Sequence, residues 1–138
     1  MYIGGHSAGG HLAVMMMTGD KKYSTPGIKG VCAMSGLFNL VPVHLSEINE
    51  TLQMDKAMAL QNSPVYLRPL VNCPLFLAVG ADETAEYKEQ SDELYKNWKE
   101  INSIQLLQLR GMNHYSIIEE LLNSDSLLHQ KMCELMNI

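Results

Sequence analysis

Cysteine, basic charge and long apolar runs are all scarce in this sequence. The three cysteines, Cys32, Cys73 and Cys133, are odd in number, far apart and without a CxxC pair. That excludes a closed disulfide framework and the usual zinc spacings, and it reads as reduced core thiols. Lys and Arg total 10 against 15 Asp and Glu, a formal charge of −5 with no basic cluster. Phosphate backbones and anionic lipid both demand concentrated positive charge, so neither nucleic acid nor a membrane is an expected partner. The longest unbroken apolar run, Leu12 to Met17, falls far short of the roughly 20 residues that cross a bilayer. No basic flank opens the chain as in a secretory signal, so the expected location is intracellular, in the cytoplasm. Repeats, low-complexity tracts and long linkers are missing too, and residues 1–138 read as one domain. Ten methionines are present, but they are scattered rather than striped, which suits gap filling in a core. No metal or organic cofactor is implied.

What the sequence does contain is alternation of strand and helix. Met1 to Gly4 reads as the tail of a strand. Ala8 to Thr18 reads as a helix, apolar almost all round and therefore expected to be buried, with Gly19 as its stop. Gly30 to Met34 and Leu75 to Val79 are short continuous apolar runs bounded by Gly, Ser or Pro, the pattern of strands covered on both faces of a parallel sheet. Ile104 to Leu109 is a third such strand. Thr84 to Glu100 places Tyr87, Ser91, Leu94, Tyr95 and Trp98 on one helical face. Ser116 with Glu119 predicts a capping box for a helix carrying Ile117, Ile118, Leu121 and Leu122, interrupted at Asn123 to Asp125 and resumed to Met136. Residues 37–74, rich in Asn, Pro and isolated charges, read as an excursion over the carboxyl end of the sheet, with one short helix around Asp55 to Leu60. The order predicts an α/β class with a parallel sheet, whose chemistry belongs in the turns after Gly4, Ser35, Val79 and Leu109.

The first of those turns, Gly5-His6-Ser7-Ala8-Gly9, fits G-x-S-x-G between a strand end and an apolar helix. A serine at so tight a turn needs small neighbours. The turn aims its hydroxyl out of the sheet, while the Ala8 N–H and the helix N-terminus face a developing oxyanion. A serine hydroxyl is a poor nucleophile until an imidazole takes its proton. The order Ser, acid, His requires that imidazole on a late post-strand turn, and His114 lies on one, whereas His6, His11, His44 and His129 do not. The third member must be a carboxylate after the Leu75 to Val79 strand. Asp82 and Glu83 both qualify, and only one can face His114 because adjacent turn residues diverge.

The chain resembles the arylformamidase (kynurenine formamidase) group of α/β-hydrolases, particularly its bacterial-type members. The resemblance rests on Gly5-His6-Ser7-Ala8-Gly9-Gly10-His11-Leu12, Ser35-Gly36-Leu37-Phe38-Asn39-Leu40, Ser63-Pro64, Gly80-Ala81-Asp82-Glu83-Thr84-Ala85-Glu86-Tyr87 followed by Gln90-Ser91, and Gly111-Met112-Asn113-His114-Tyr115. The elbow is shared by many esterases, whereas Glu86-Tyr87 with Gln90-Ser91 is more particular. In that family the triad acid sits three residues before the Glu-aromatic pair, which lands on Glu83 and leaves Asp82 as runner-up. Asn39 stands where relatives often have Asp. The resemblance further implies an upstream His-Gly-Gly oxyanion segment and earlier strands. Because Met1 lies four residues before Gly5, the chain is expected to be the carboxyl-terminal half of the fold. One oxyanion donor would then be lost, a loss that typically costs on the order of 100- to 1000-fold in turnover, and a sheet edge would be open to a second copy or a complementing chain.

The implied function is a serine hydrolase with a small-molecule substrate, cleaving the N-formyl amide of N-formylkynurenine. Ser7 is the expected nucleophile, His114 the base, Glu83 or Asp82 the orienting acid and the Ala8 N–H an oxyanion donor. A general carboxylesterase of small acyl groups is the second expectation, and a non-catalytic fragment that needs a partner is the third.

Overall fold

The computed structural model describes residues 1–19 and 27–138. Four strands form one sheet in the order of the sequence: β1 (Tyr2–His6), β2 (Gly30–Met34), β3 (Leu75–Gly80) and β4 (Ile104–Leu109). All three neighbouring pairs are parallel, in the register Ile3 to Val31, Val31 to Leu75 and Leu75 to Ile104. Parallel neighbours cannot be joined by a hairpin, so each connection crosses back over the sheet. The first crosses by helix α1 (Ala8–Thr18). The second crosses by the segment containing α2 (Val41–His44), α3 (Asn49–Leu52), α4 (Lys56–Gln61) and a 3₁₀ turn (Pro64–Tyr66). Helix α5 (Ala85–Trp98) makes the third, and β4 is followed by a 3₁₀ segment (Ser116–Leu122) and α6 (Leu127–Met136).

The two faces of the sheet are covered differently. Alternate residues of β2 and β3 point to opposite sides, and both central strands are buried throughout. Val31, Ala33, Leu75 and Leu77 join Val14 and Met17 of α1 and Leu94 and Trp98 of α5 in one apolar cluster. Cys32, Met34, Phe76 and Ala78 meet Ile117 and Leu128 in the other. Trp98, wholly buried, keeps its indole N–H satisfied on the carbonyl of Leu67 at 3.1 Å, as a buried tryptophan requires.

Three sequence expectations are corrected. Helix α1 is apolar around its circumference, yet only Gly10, Ala13, Val14, Met17 and Thr18 are buried, while Leu12 is 62% exposed. A sheet covers one side of a helix, and nothing among the described residues covers the other. Gly19 does end α1 as expected, at φ −39°. The expected capping box at Ser116 and Glu119 is absent, because Asn113 takes that role. Its Oδ1 accepts from the N–H groups of Tyr115 and Ser116 at 2.9 and 3.0 Å, and the segment it opens is a 3₁₀ helix. An asparagine this near competes for the same donors. Between β2 and β3 the expected short helix is present as α4, capped by the Asp55 carboxylate on the N–H of Met58, but two more single-turn helices precede it.

Candidate active site

Each turn at the carboxyl ends of the strands is tied to the next strand. The N–H of Ser7 donates to Met34 O at 2.9 Å, that of Ser35 to Ala78 O at 2.8 Å, and that of Ala81 to Leu109 O at 2.8 Å. This staircase continues the parallel ladder past the strand ends and gathers four turns on one rim, where open α/β sheets place their ligands.

Ser7 follows β1 directly, at φ 56° and ψ −119°, a backbone conformation that L-residues rarely adopt and that typically costs about 1–3 kcal/mol. The strain is affordable sterically only because Gly5 has no side chain: a Cβ there would collide with the Gly9 carbonyl. The same turn starts α1, whose first-turn N–H groups, that of Ala8 among them, lack helical partners and carry the positive end of the helix dipole.

Asp82 and Glu83 diverge as adjacent turn residues must. Asp82 is exposed, and it is its backbone N–H that is engaged, on Met112 O at 3.0 Å. Glu83 is buried, and its carboxylate is occupied on both oxygens. Oε1 accepts from the Ser35 hydroxyl at 2.5 Å and from Gly80 N–H at 2.7 Å, while Oε2 accepts from His114 Nδ1 at 2.9 Å. With Nδ1–H so committed, His114 Nε2 is left as an acceptor, and the Ser7 hydroxyl lies 3.2 Å from it. The structure thus links Ser7, His114 and Glu83 in one hydrogen-bonded chain and leaves Asp82 outside it. Gly80 permits the approach of the loop bearing His114, since a Cβ there would strike the Met112 carbonyl.

The other four histidines donate to backbone carbonyls: His6 to His114 O, His11 to Asn62 O, His44 to Met54 O and His129 to Leu121 O, at 2.7 to 2.8 Å. Burial holds the pKa of His6 below the ordinary histidine value, which favours its neutral form. Burial also pushes the Cys32 thiol up to about 12, so it is no rival nucleophile. Among the described residues, no group of three or more His, Cys, Asp or Glu could hold a metal ion, and no helix is long and apolar enough to cross a membrane. A hollow of about 310 Å³ lined by Lys29, Pro74, Ser103 and Lys131 lies at the amino ends of the strands, the rim opposite Ser7 and His114.

Several contacts around the site were not anticipated. Ser35, itself in the left-handed region at φ 48°, ends β2 in a turn marked for chemistry, but nothing in the sequence tied its hydroxyl to the acid. Tyr87, on the first turn of α5, lies with its ring centroid 4.3 Å from that of His114. Gln90 holds the start of the excursion: its Oε1 accepts from Phe38 and Asn39 N–H at 2.7 and 2.6 Å, and its Nε2 donates to Asn39 O at 2.9 Å. Asn39 in turn donates to the Glu93 carboxylate at 3.0 Å, a bond that an Asp at this position could not make.

No family model matches the sequence. Kynurenine formamidase of Salmo salar is 36% identical over 145 residues, covering 99% of this chain and 49% of its own length. That of Danio rerio is 35% identical over 136 residues, covering 93% of this chain and 46% of its own. The chain therefore spans about half the length of the curated relatives it matches. Among solved structures, a protein of Silicibacter sp. TM1040 assigned as a thioesterase superposes with a TM-score of 0.77 at 28% identity, over 91% of this chain and 47% of that one. Acylaminoacyl peptidase of Pyrococcus horikoshii (TM-score 0.72, 16% identity, 96% of this chain and 23% of that one) and esterase 2 of Thermogutta terrifontis (TM-score 0.68, 20% identity, 98% and 52%) share the fold. With a parallel four-stranded sheet, flanking helices and these neighbours, the chain has the α/β-hydrolase fold and is similar to kynurenine formamidases over nearly its whole length.

Proposed function

We propose that the protein is a serine hydrolase that removes the formyl group from N-formylkynurenine, releasing kynurenine and formate. The observation that carries this reading is the unbroken chain from the buried Glu83 carboxylate through both ring nitrogens of His114 to the Ser7 hydroxyl. Ser7 Oγ attacks the formyl carbon while His114 Nε2 takes its proton, and the Ala8 N–H, aided by the α1 dipole, receives the oxyanion. Collapse expels the arylamine, which takes the proton back from His114. Water, deprotonated by the same imidazole, then attacks the formyl ester and frees formate and Ser7. Glu83 holds the Nδ1–H tautomer and stabilises the imidazolium in both halves of the cycle. The substrate comes from the name shared by the relatives. Because those relatives are about twice as long as this chain, the activity is proposed for the protein as a whole.

A fluorophosphonate probe tests the chemistry. Ser7 is expected to be the labelled residue, and Ser7→Ala to lower turnover by a factor on the order of 10⁶, the scale of losing a triad member. Labelling elsewhere, or an active Ser7→Ala protein, would sink the reading. Comparing kcat/KM for N-formylkynurenine and p-nitrophenyl acetate tests the substrate, and an equal or reversed preference would reassign the protein as a carboxylesterase of small acyl groups.

A further inference from the structure

The turn that carries His114 has little regular structure of its own. It lies between β4 and a 3₁₀ segment and includes Gly111 at φ 75°, yet the imidazole must meet two partners on two other turns. In-plane tilt of the ring is set by its two nitrogens, bound to Glu83 and to Ser7. Neither bond fixes the backbone from which the ring hangs. The Asp82 N–H holds this turn at Met112 O, and the carbonyl of His114 itself is held from the nucleophile's own strand: His6, the residue before Ser7, donates Nε2–H to it at 2.7 Å across 108 residues of sequence. The His6 ring centroid lies 4.6 Å from that of His114 at 45°, and the Tyr87 ring lies 4.3 Å away at 34°.

We propose that His6 is a positioning residue for His114, setting the reach of the imidazole to Ser7 by gripping the carbonyl of His114 from the last position of β1, the strand that Ser7 follows. The inference rests on reading His114 as the base. The geometry makes the coupling short. Serine and His6 are covalent neighbours, so any shift of the elbow moves the donor together with the nucleophile, and the base follows through one hydrogen bond. A neutral ring suits this role. Proton transfer from Ser7 makes His114 cationic, and a second cation 4.6 Å away would oppose it, since like charges this close penalise each other. The groups facing His6 are His114 and, beyond it, Glu83: burial, the largest influence, lowers the His6 pKa and the charge of His114 pushes the same way, while the bond to the His114 carbonyl and the Glu83 charge oppose them.

Two substitutions separate the donated bond from the bulk of the ring. His6→Phe keeps an aromatic ring and removes the donor, while His6→Gln keeps an N–H donor at similar reach and removes the ring. The first readout is the exchange rate of the His114 Nδ1–H proton by NMR, a signature of its bond to Glu83 that needs no substrate. His6→Phe is expected to raise that rate about 10-fold or more, and His6→Gln to restore it to near the wild-type value. Unchanged exchange in His6→Phe, or equal loss in both variants, overturns the proposal. The second readout is turnover, where His6→Phe is expected to lose about 10- to 100-fold in kcat at little change in KM, the scale of a misplaced catalytic group. Wild-type protein that is not labelled at Ser7 by a fluorophosphonate would refute the hydrolase reading, while the exchange measurement still decides the role of His6.

Discussion

At the turn after β1 the chain reverses from strand to helix through Ser7 alone, whereas between β2 and β3 it wanders through residues 37–74 by way of three short helices and a 3₁₀ turn. The two regions are held in opposite ways. The elbow is held by backbone sterics: Gly5 beneath the Gly9 carbonyl, Ser7 at positive φ, its N–H on Met34 O. The excursion is held by side-chain bonds, Gln90 reaching in to residues 38 and 39 and, within it, the Ser63 hydroxyl accepting from Leu40 N–H at 2.7 Å and Asn49 bonding Met54, around a small cluster of Leu40, Val43 and Ala59. Leu45, Ile48 and Leu52 of the excursion remain exposed. A reacting hydroxyl needs a position defined to fractions of an ångström, and rigid backbone supplies it. A covering segment tolerates looser, replaceable contacts.

The comparison can be broken at three points. The largest effect is expected from the acid. Glu83→Gln leaves the packing intact but offers the wrong hydrogen-bonding group to His114, and turnover should fall by about 10⁴, the scale of an amide in place of the triad carboxylate. Asp82→Asn, outside the chain of bonds, should stay within about 3-fold, since its side chain touches no reacting group; steady-state kinetics on both variants decides which acid serves, and a reversed pattern would move the role to Asp82. Next comes the backbone of the elbow. Gly5→Ala forces a Cβ into the Gly9 carbonyl and should cost more than about 3 kcal/mol or prevent folding, the range of severe overpacking. Gly9→Ala, where nothing lies within 4 Å, should be neutral or stabilising by up to about 1 kcal/mol through helix propensity. Urea melts of the two proteins would sharpen the contrast within one five-residue motif. The smallest effect belongs to the excursion: Gln90→Ala strands the N–H groups of Phe38 and Asn39 and should cost about 1–3 kcal/mol, with fluorophosphonate labelling of Ser7 slowed less than about 10-fold. A loss of labelling as deep as that of Glu83→Gln would mean that the excursion positions the site rather than covering it.

Much of the fold was legible in advance. The runs at 30–34, 75–79 and 104–109 are strands within one residue of their expected limits, and α1 spans the residues expected of it, because continuous apolar runs flanked by breakers leave few alternatives. The glycine-framed Ser7 and the late post-strand His114 could be singled out for the same reason: each is a local pattern. Most of the misses involve residues far apart in the chain. Nothing near Leu12 says that one side of α1 goes uncovered by the described residues. The Ser116 box lost to an asparagine only three residues upstream, because local hydrogen-bonding side chains compete for the same few donors. Ser35 and Gln90 reach across 48 and 52 residues to Glu83 and Phe38, separations that no periodicity reports.

By itself the sequence determined the kinds of element, their order and the turns on which chemistry could sit, since these follow from side-chain spacing and from glycine at close-packed turns. Only the tertiary structure decided that Glu83, which the resemblance had favoured over Asp82, meets His114, that Ser35 and Gly80 hold the Glu83 carboxylate, and that His6 grips the loop opposite. Those outcomes depend on the direction in which adjacent side chains leave a turn and on how closely two loops approach, and both are set by the stagger of the parallel strands beneath them.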